Sequence, residues 1–294
     1  MCDEQDMARF AQSARGAGVN RRQFAVLGAA GAIAACTTPQ KGEASENMLE
    51  EGEVSFATPD GTMDGYFVRP AAGKHPAVLF WPDIAGVREA KRSMARRLAS
   101  EGYAVFLANP YYRDVKGEQF KDFADFMANS GFQKVGPWRE KLVPEAILRD
   151  AGAATGWLAQ QDSVDETRGM GSQGYCMTGS FAMFTAVADV PHVRAVGSFH
   201  GGGLVRQGAM SPHTTFGEAK AQYLICIAKN DDAKAPGDKD VLREAADAVG
   251  VKAEIEVYNA DHGWCVLDSP SYDKPEAERA WARLLDLYGR TLKG

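Results

Sequence analysis

The chain has 294 residues, of which 45% are hydrophobic and 24% charged, and its formal net charge at pH 7 is −6. These proportions are those of a globular domain and exclude a disordered, a collagen-like or a disulfide-framework protein. The acidic balance argues against binding to a nucleic-acid backbone, and no apolar run reaches the roughly 20 residues that a membrane-spanning helix needs.

The first 36 residues are predicted to form a twin-arginine-type export signal. The paired Arg21 and Arg22 precede Ala25–Ala35, a weakly apolar stretch without a charged residue. This signal is cleaved after an A-x-A-like site at 32–34, or it ends at a lipobox-like sequence in which Cys36 is lipidated. The sequence therefore predicts an exported, periplasmic protein that meets the export machinery and contacts a membrane only through a lipid anchor at Cys36.

Residues 37–53 are predicted to be an acidic tether, because they contain one lysine, five glutamates and few apolar side chains. After the signal, cysteines occur only at positions 176, 226 and 265. An odd and sparse set of this kind forms neither a disulfide framework nor a C-x-x-C metal site. We therefore expect at least one free thiol.

Residues 54–294 are predicted to form an α/β domain in which strands and helices alternate. The predicted strands are Glu53–Phe56, Met63–Arg69, Pro76–Trp81, Ala104–Ala108, one ending at Gly174, Arg194–Phe199, Tyr223–Ala228 and Ala253–Tyr258. The predicted helices are Glu89–Ser100, Val143–Gln160, one beginning at Met177, Asp238–Val249 and Pro275–Leu292. Short connections between these elements predict a mostly parallel sheet with helices on both faces. Residues 113–136 have no clean period but several aromatics, and we expect a lid over a pocket there.

The candidate nucleophile is Cys176, in the sequence Gly174-Tyr175-Cys176-Met177-Thr178-Gly179. This spacing resembles the G-x-S-x-G elbow between a strand and a helix, with the second glycine one residue later. The free N–H groups at the start of the following helix would favour the thiolate. The alternative is a buried structural cysteine at a tight turn.

His262 is the candidate base, because it lies in the loop directly after the last predicted strand. The orienting acid is expected after the preceding strand, where Asp231 and Asp232 are adjacent. The order of nucleophile, acid and base along the chain is that of α/β-hydrolases. An aspartate that accepts a hydrogen bond from the imidazole fixes its tautomer and stabilises its protonated form.

These motifs resemble those of the dienelactone hydrolase family, which are α/β-hydrolases with a Cys-Asp-His triad. The resemblance rests on the elbow around Cys176, on Asp83-Ile84-Ala85-Gly86-Val87 where the family has E-I-x-G-V, and on the acid turn and the histidine loop. It covers the chain from about residue 54 to the end. The family's usual separation between acid and histidine favours Asp231, whereas counting back from Pro236 favours Asp232.

The resemblance implies further roles. It implies an oxyanion hole formed by the backbone N–H groups of Ile84 and Met177, and a thiol-holding acid at Asp83, which is one methylene shorter than the family's glutamate. It also implies that substrate contacts come from Arg113, Tyr112 and Trp264. The chain departs from the family pattern at three positions, Asp83, Thr178 and Val266, and Val266 stands where a second substrate-binding arginine is expected. That departure argues against dienelactone itself as the substrate.

Two glycine-rich runs resemble motifs of other folds. Residues 169–174 satisfy G-x-G-x-x-G, but they follow a charged stretch and not the apolar strand of a dinucleotide site. His200-Gly201-Gly202-Gly203 matches the oxyanion motif of lipases, but it follows the nucleophile and does not precede it. We expect no nucleotide cofactor, and we expect the second run to form a close-packed strand end beside the pocket.

The predicted function is hydrolysis of a small-molecule carboxylic ester or lactone through the Cys176 thiol, with no cofactor. The histidines are scattered and no H-E-x-x-H or paired-cysteine motif occurs, so no metal is expected either. Two alternatives stay open at this stage. One is a non-catalytic ligand-binding domain, for which the three departures argue; the other is a thiol redox protein, for which only the thiolate argues. The oligomeric state is not predicted.

Overall fold

The computed structural model describes residues 48–188, 192–208 and 210–292. The predicted export signal with Cys36, and the tether as far as residue 47, lie outside the described residues. Among the helices of the described ranges, none is both long and apolar enough to cross a bilayer.

In the described part of the chain, eight strands form one sheet in the order β1-β2-β4-β3-β5-β6-β7-β8. Their bounds are β1 Leu49–Thr58, β2 Gly61–Pro70, β3 Ala77–Trp81, β4 Ala104–Ala108, β5 Met170–Tyr175, β6 Val193–Phe199, β7 Gln222–Ala228 and β8 Ala253–Tyr258. Strand β2 pairs antiparallel with both β1 and β4, and the other neighbouring strands are parallel. The predicted α/β-hydrolase fold with a mostly parallel sheet is confirmed.

Helices cover the sheet on both faces. Their bounds are α1 Glu89–Ser100, α2 Phe123–Ala128, α3 Gly131–Arg139, α4 Pro144–Ala159, α5 Gly179–Thr185, α6 Lys229–Lys234, α7 Asp238–Ala248 and α8 Lys274–Leu292. Helices α4, α5 and α7 contribute to one buried cluster, and α1 and α8 contribute to the cluster on the opposite face. Two layers of helices therefore enclose the central strands.

Strands β3 and β4 are apolar throughout because both of their faces are buried. In β3, Val78 and Phe80 belong to the cluster beneath α1 and α8, whereas Leu79 and Trp81 belong to the cluster beneath α4 and α5. Alternate side chains of a strand point to opposite faces, so a strand covered on both sides needs apolar residues at every position. This is the physical reason that short continuous apolar runs identify these strands.

The structure extends the first strand beyond the prediction. Strand β1 begins at Leu49, so residues 49–53, predicted as tether, are paired with β2. The glutamates in this segment lie at the sheet edge and bind basic or hydroxyl groups: Glu50 contacts Arg69, Glu51 contacts Tyr66, and Glu53 contacts Arg92. Their charge therefore suits an exposed edge strand as well as it suits a tether.

The predicted lid region contains two short helices, α2 and α3, which the sequence pattern did not reveal. Asp122 caps α2, since its carboxylate accepts a hydrogen bond from the backbone N–H of Asp125 at 2.7 Å. The aromatic rings of the segment pack on one another, with the Phe126 ring centroid 4.9 Å from that of Phe120 and 4.8 Å from that of Phe132. This small separate cluster holds the segment together without a long amphipathic helix.

All of the G-x-G-x-x-G run after its first glycine lies in β5 and not in a phosphate-binding turn. A Cβ atom on Gly171 would come within 2.9 Å of the Tyr288 ring of α8. Glycine at this position therefore allows the last helix to pack closely against the sheet.

Candidate active site

Cys176 occupies a sharp turn between β5 and α5. Its φ angle is +57°, a left-handed conformation that costs a non-glycine residue about 1–3 kcal/mol. The chain can turn this tightly because glycines flank it. A Cβ atom on Gly174 would lie 2.0 Å from the Thr178 carbonyl oxygen, and one on Gly179 would lie 2.5 Å from the Gly201 Cα atom. The close approach of Gly201 explains why the second glycine of the elbow stands at position 179.

Thr178 ties this elbow to the end of β3. Its hydroxyl accepts a hydrogen bond from the backbone N–H of Tyr175 at 3.0 Å. The same oxygen lies 3.0 Å from the Trp81 carbonyl oxygen and 2.8 Å from that of Pro82, so its proton is shared toward both acceptors. Because Asp83 and Ile84 follow directly, the hydroxyl fixes the distance between the two predicted halves of the oxyanion hole.

The loops after β7 and β8 bring His262 and Asp231 into contact. The Nδ1 atom of His262 lies 2.6 Å from the Oδ2 atom of Asp231. The backbone N–H of His262 also donates to the side-chain oxygen of Asn230 at 2.9 Å. Asp232 points elsewhere, since its Oδ1 atom accepts from the Lys239 ammonium at 2.6 Å. Of the two candidate acids, Asp231 is therefore the one that contacts the histidine.

An open pocket of about 390 Å³ joins the elbow to this pair. The predicted residues Cys176, His262, Asp83 and Ile84 all line it. Its other walls are mostly apolar, and the lid contributes two phenyl rings: the remaining lining residues are Phe123, Phe132, His200, Gly263, Val266 and Ser269. Met177, the other predicted oxyanion-hole residue, follows Cys176 at the start of the turn.

Asp83 is bound by two buried cations. Its Oδ1 atom lies 2.7 Å from Nη1 of Arg88, and its Oδ2 atom lies 2.9 Å from the Lys91 ammonium. Oδ1 also accepts from the backbone N–H of Ala85 at 3.0 Å. Burial by itself would raise the pKa of Asp83, but the charges of Arg88 and Lys91 outweigh it and hold that pKa well below its usual range.

This ion-pair cluster corrects the expected role of Asp83. A thiol-holding acid needs a free carboxylate oxygen and an accessible protonated state, and the two cations remove both from Asp83. With both of its oxygens paired in this way, Asp83 is poorly suited to hold the Cys176 thiol. Asp83 lines the pocket. Nothing in the sequence indicated that the side chains of Arg88 and Lys91 would be buried beside it.

The same cluster also anchors the lid. Arg88 binds Asp268 through Nε and Nη2, each at 2.7 Å. The Oδ2 atom of Asp268 accepts a further hydrogen bond, at 2.9 Å, from the backbone N–H of Phe123. Because Phe123 begins α2 and lines the pocket, the charges beneath the pocket determine where one of its phenyl walls lies.

Arg113 and Tyr112 are not among the residues that line this pocket. Arg113 binds Asp150 at 2.7 Å and Asp60 at 2.6 Å, and its guanidinium lies 4.7 Å from the centre of the Tyr112 ring. The Tyr112 hydroxyl in turn donates to Asp150 at 2.5 Å. These contacts give both residues a structural role, joining α4 to the β1–β2 turn, and their contacts with a substrate stay a prediction. Asp150, a charged residue on the otherwise apolar face of a predicted helix, is the feature of the sequence that could have indicated this ion pair.

Trp264 is likewise absent from the residues that line this pocket. It is completely buried and stacks on Tyr258, with ring centroids 5.2 Å apart and an interplanar angle of 19°. Its ring and that of His200 form a T-shaped pair with centroids 5.3 Å apart. Trp264 therefore supports the pocket from behind and does not present a surface to a substrate.

His200 is a pocket residue to which the sequence analysis assigned no role in the reaction. It directly follows β6, is 1% exposed, and its ring centroid lies 4.6 Å from that of His262. Burial lowers the pKa of His200 well below its usual value, and repulsion by His262 and Lys91 acts in the same direction. The predicted strand end beside the pocket is present, and it carries a neutral imidazole into the site.

Comparison with known proteins identifies a family that matches this chain. The family model described as "Dienelactone hydrolase family" matches residues 63–292. A "Putative carboxymethylenebutenolidase" of Salmonella typhi is 26% identical over 251 residues, spanning 83% of this chain and 89% of that protein. A relative of the same name from Methylorubrum extorquens is 28% identical over 248 residues, spanning 82% and 81%. A "Putative Dienelactone Hydrolase" from Klebsiella pneumoniae, solved as a crystal structure, has a TM-score of 0.71 and 25% identity, spanning 83% of this chain and 100% of that chain.

The Thr178 contacts predict a specific cost of removing the hydroxyl. We expect Thr178→Val to lower the free energy of unfolding by about 1–3 kcal/mol, because the buried N–H of Tyr175 loses its acceptor. Thr178→Ser keeps the hydroxyl and is the matched control. Urea unfolding measures both variants, and equal stability of the valine and serine variants would contradict the proposed link.

Proposed function

Because the chain belongs to the dienelactone hydrolase family and is a hydrolase of carboxylic esters or lactones, we propose that it acts through the Cys176 thiol, with His262 as general base and Asp231 as the acid that orients it. One observation carries this proposal. The His262–Asp231 pair, with its atoms 2.6 Å apart, opens onto the same pocket as a cysteine held on a strained elbow. Strain of this kind is characteristic of positions where a side chain must be presented for reaction.

In the first half of the reaction, His262 removes the proton from the Cys176 thiol. The thiolate attacks the carbonyl carbon of the ester, and the carbonyl oxygen becomes an oxyanion. The backbone N–H groups of Ile84 and Met177 are the donors we assign to that oxyanion, and a hole of this kind contributes several kcal/mol. When the intermediate collapses, the carbon–oxygen bond breaks, and the leaving alkoxide takes the proton from His262.

In the second half, water releases the acyl group from Cys176. His262 accepts one proton of the water while the water oxygen attacks the thioester carbonyl. Collapse of the second intermediate breaks the carbon–sulfur bond, and the thiolate recovers its proton from His262. Asp231 keeps the imidazole in one tautomer and stabilises its protonated form in both halves.

The pocket favours a substrate without a carboxylate. Phe123, Phe132 and Val266 give it apolar walls. The cations beneath it, Arg88 and Lys91, are completely buried and are bound to Asp83, with Arg88 bound to Asp268 as well. An anionic substrate group would enter this pocket with no free cation to pair with among the lining residues, and burying an unpaired carboxylate is costly. We therefore propose neutral esters or lactones with apolar acyl groups.

The nucleophile assignment predicts the effect of removing the thiol. We expect Cys176→Ala to lower kcat/KM for p-nitrophenyl butyrate by about 10³-fold or more, because the covalent step is lost. Cys265→Ala is the matched control, since burial raises the pKa of Cys265 to about 12 and leaves that thiol inert. Circular dichroism verifies that both variants are folded. A folded Cys176→Ala variant with wild-type turnover would rule out this mechanism.

The acid assignment is tested by the two adjacent aspartates. Asp231→Asn should lower kcat by about 10²–10⁴-fold, because an amide in place of the carboxylate no longer stabilises protonated His262. Asp232→Asn removes only the surface pair with Lys239 and should change kcat by less than about threefold. Steady-state kinetics of the two variants distinguishes the two aspartates. A larger loss of kcat in Asp232→Asn than in Asp231→Asn would make Asp232 the acid that orients His262.

The substrate class is tested with two esters of similar length. We expect kcat/KM for p-nitrophenyl butyrate to exceed that for p-nitrophenyl hemisuccinate by about tenfold or more, equivalent to about 1.4 kcal/mol. Val266→Arg introduces a cation into the pocket wall and should reduce the ratio of kcat/KM for the butyrate to kcat/KM for the hemisuccinate. Val266→Met is the control for added bulk. A wild-type preference for the anionic ester would contradict the neutral pocket.

A further inference from the structure

The backbone N–H of Ile84, one of the two donors assigned to the oxyanion, belongs to a turn directly after β3. The backbone N–H of Gly86 donates to the Asp83 carbonyl oxygen at 2.9 Å and closes this turn. Glycine suits the closing position because its φ angle is +74°. The Asp83–Ile84 peptide is trans, so its N–H points opposite to the carbonyl that Gly86 holds. The turn therefore limits the direction of the Ile84 donor.

The next peptide of the turn, between Ile84 and Ala85, is held at both ends. The N–H of Ala85 donates to the Asp83 carboxylate at 3.0 Å, and the Ile84 carbonyl oxygen lies 2.8 Å from the Tyr111 hydroxyl. A carbonyl oxygen can only accept, so Tyr111 is the donor of the second bond. Turns of different type differ in the orientation of this central peptide. The two bonds together therefore hold the turn in one form.

Tyr111 lies between the two predicted halves of the oxyanion hole. Its side chain is buried, and its hydroxyl oxygen is 3.9 Å from the Met177 sulfur as well as in contact with the Ile84 carbonyl. Ile84, Ala85 and Tyr111 belong to one apolar cluster, and Met177 packs against it. One phenol therefore contacts both of the residues to which we assign an oxyanion donor.

Tyr111 is itself held in place from the sheet and from the lid. It follows β4, the neighbour of β3, and its backbone N–H donates to the side-chain oxygen of Asn109 at 2.9 Å. The Asn109 amide in turn donates to the Asp64 carboxylate at 3.0 Å. The phenol ring packs on Trp138 of α3, with ring centroids 5.3 Å apart. The hydroxyl is thus presented to Ile84 by a ring that has little freedom to move.

We propose that Tyr111 is a positioning residue for the oxyanion hole. This proposal rests on the proposed cysteine mechanism and extends it. Tyr111 is absent from the residues that line the pocket, so it acts through Ile84 and not on the substrate. Its hydroxyl keeps the Ile84 turn in the form that presents the N–H before the substrate arrives. A donor aligned in advance needs no reorganisation when charge develops on the carbonyl oxygen.

A positioning role of this kind differs measurably from a general structural role. An oxyanion forms in both halves of the reaction, so a poorly aligned donor should slow acylation and deacylation alike. In that case kcat falls while KM changes little. Alkylation of Cys176 by iodoacetamide forms a sulfur–carbon bond and releases iodide, and no oxyanion develops. Its rate should therefore be independent of Tyr111.

Tyr111→Phe deletes the hydroxyl and keeps the ring that packs on Trp138. We expect kcat for p-nitrophenyl butyrate to fall about tenfold, which is less than the 10²–10³-fold cost of deleting a donor outright. KM and the rate of Cys176 alkylation should each stay within about twofold of the wild type. A butyl trifluoromethyl ketone, whose carbonyl adds the thiol to give a tetrahedral oxyanion, should bind about tenfold more weakly.

Tyr288→Phe is the matched control. It also removes a buried tyrosine hydroxyl, which donates to the Gln173 side chain at 3.0 Å, but Tyr288 does not line the pocket. We expect its kcat and its affinity for the ketone to stay within about twofold of the wild type. Circular dichroism verifies that both variants are folded, so that the comparison concerns the hydroxyl and not the fold.

The remaining outcomes contradict the proposal in distinguishable ways. Unchanged kcat and ketone affinity in folded Tyr111→Phe would overturn it. So would an equal loss of activity in Tyr288→Phe, or alkylation of Cys176 that slows as much as hydrolysis does, since either result indicates a general structural effect. If the wild-type protein still hydrolyses the ester after complete alkylation of Cys176, the cysteine mechanism itself has failed, and the proposed role of Tyr111 fails with it.

Discussion

The parallel register of the central strands is the constraint on which this site depends. Strands β3, β5, β6, β7 and β8 all run in the same direction, and their carboxyl ends are aligned, with Trp81 beside Gly174 and Ala228 beside Tyr258. The loops that follow these ends therefore share one edge of the sheet. Residues that are far apart in the sequence meet there because each lies within a few positions of a strand end. Cys176 and His200 directly follow their strands, so their positions are fixed most closely by the sheet.

Electrostatic balance beneath the pocket is the second feature that shapes the site. The carboxylates of Asp83 and Asp268 neutralise Arg88 and Lys91 inside the protein. An isolated buried charge would be very costly, and the cluster avoids that cost by keeping its charges in contact. The consequence for function is that these cations hold the lid and the loop after β3, and none is left to bind an anionic substrate in the pocket.

The sequence predicted the sheet well where its strands are short apolar runs whose burial leaves a clear pattern, as in β3, β4 and β7. It also predicted that Cys176 and His262 follow strand ends, which is where the structure has them. It could not separate Asp231 from Asp232, since the choice depends on α6, a six-residue helix in which neighbouring side chains point about 100° apart. It gave no indication that Arg113 pairs with Asp150, because the two are 37 residues apart and only the fold brings them together.

The three departures from the family pattern each have a physical counterpart in the structure. The Asp83 carboxylate is paired with two cations, the Thr178 hydroxyl bonds the elbow to the end of β3, and Val266 is part of an apolar wall. The departures therefore do not favour a binding-only protein. They agree with the proposed preference for neutral substrates, and a second imidazole, that of His200, lies beside that of His262.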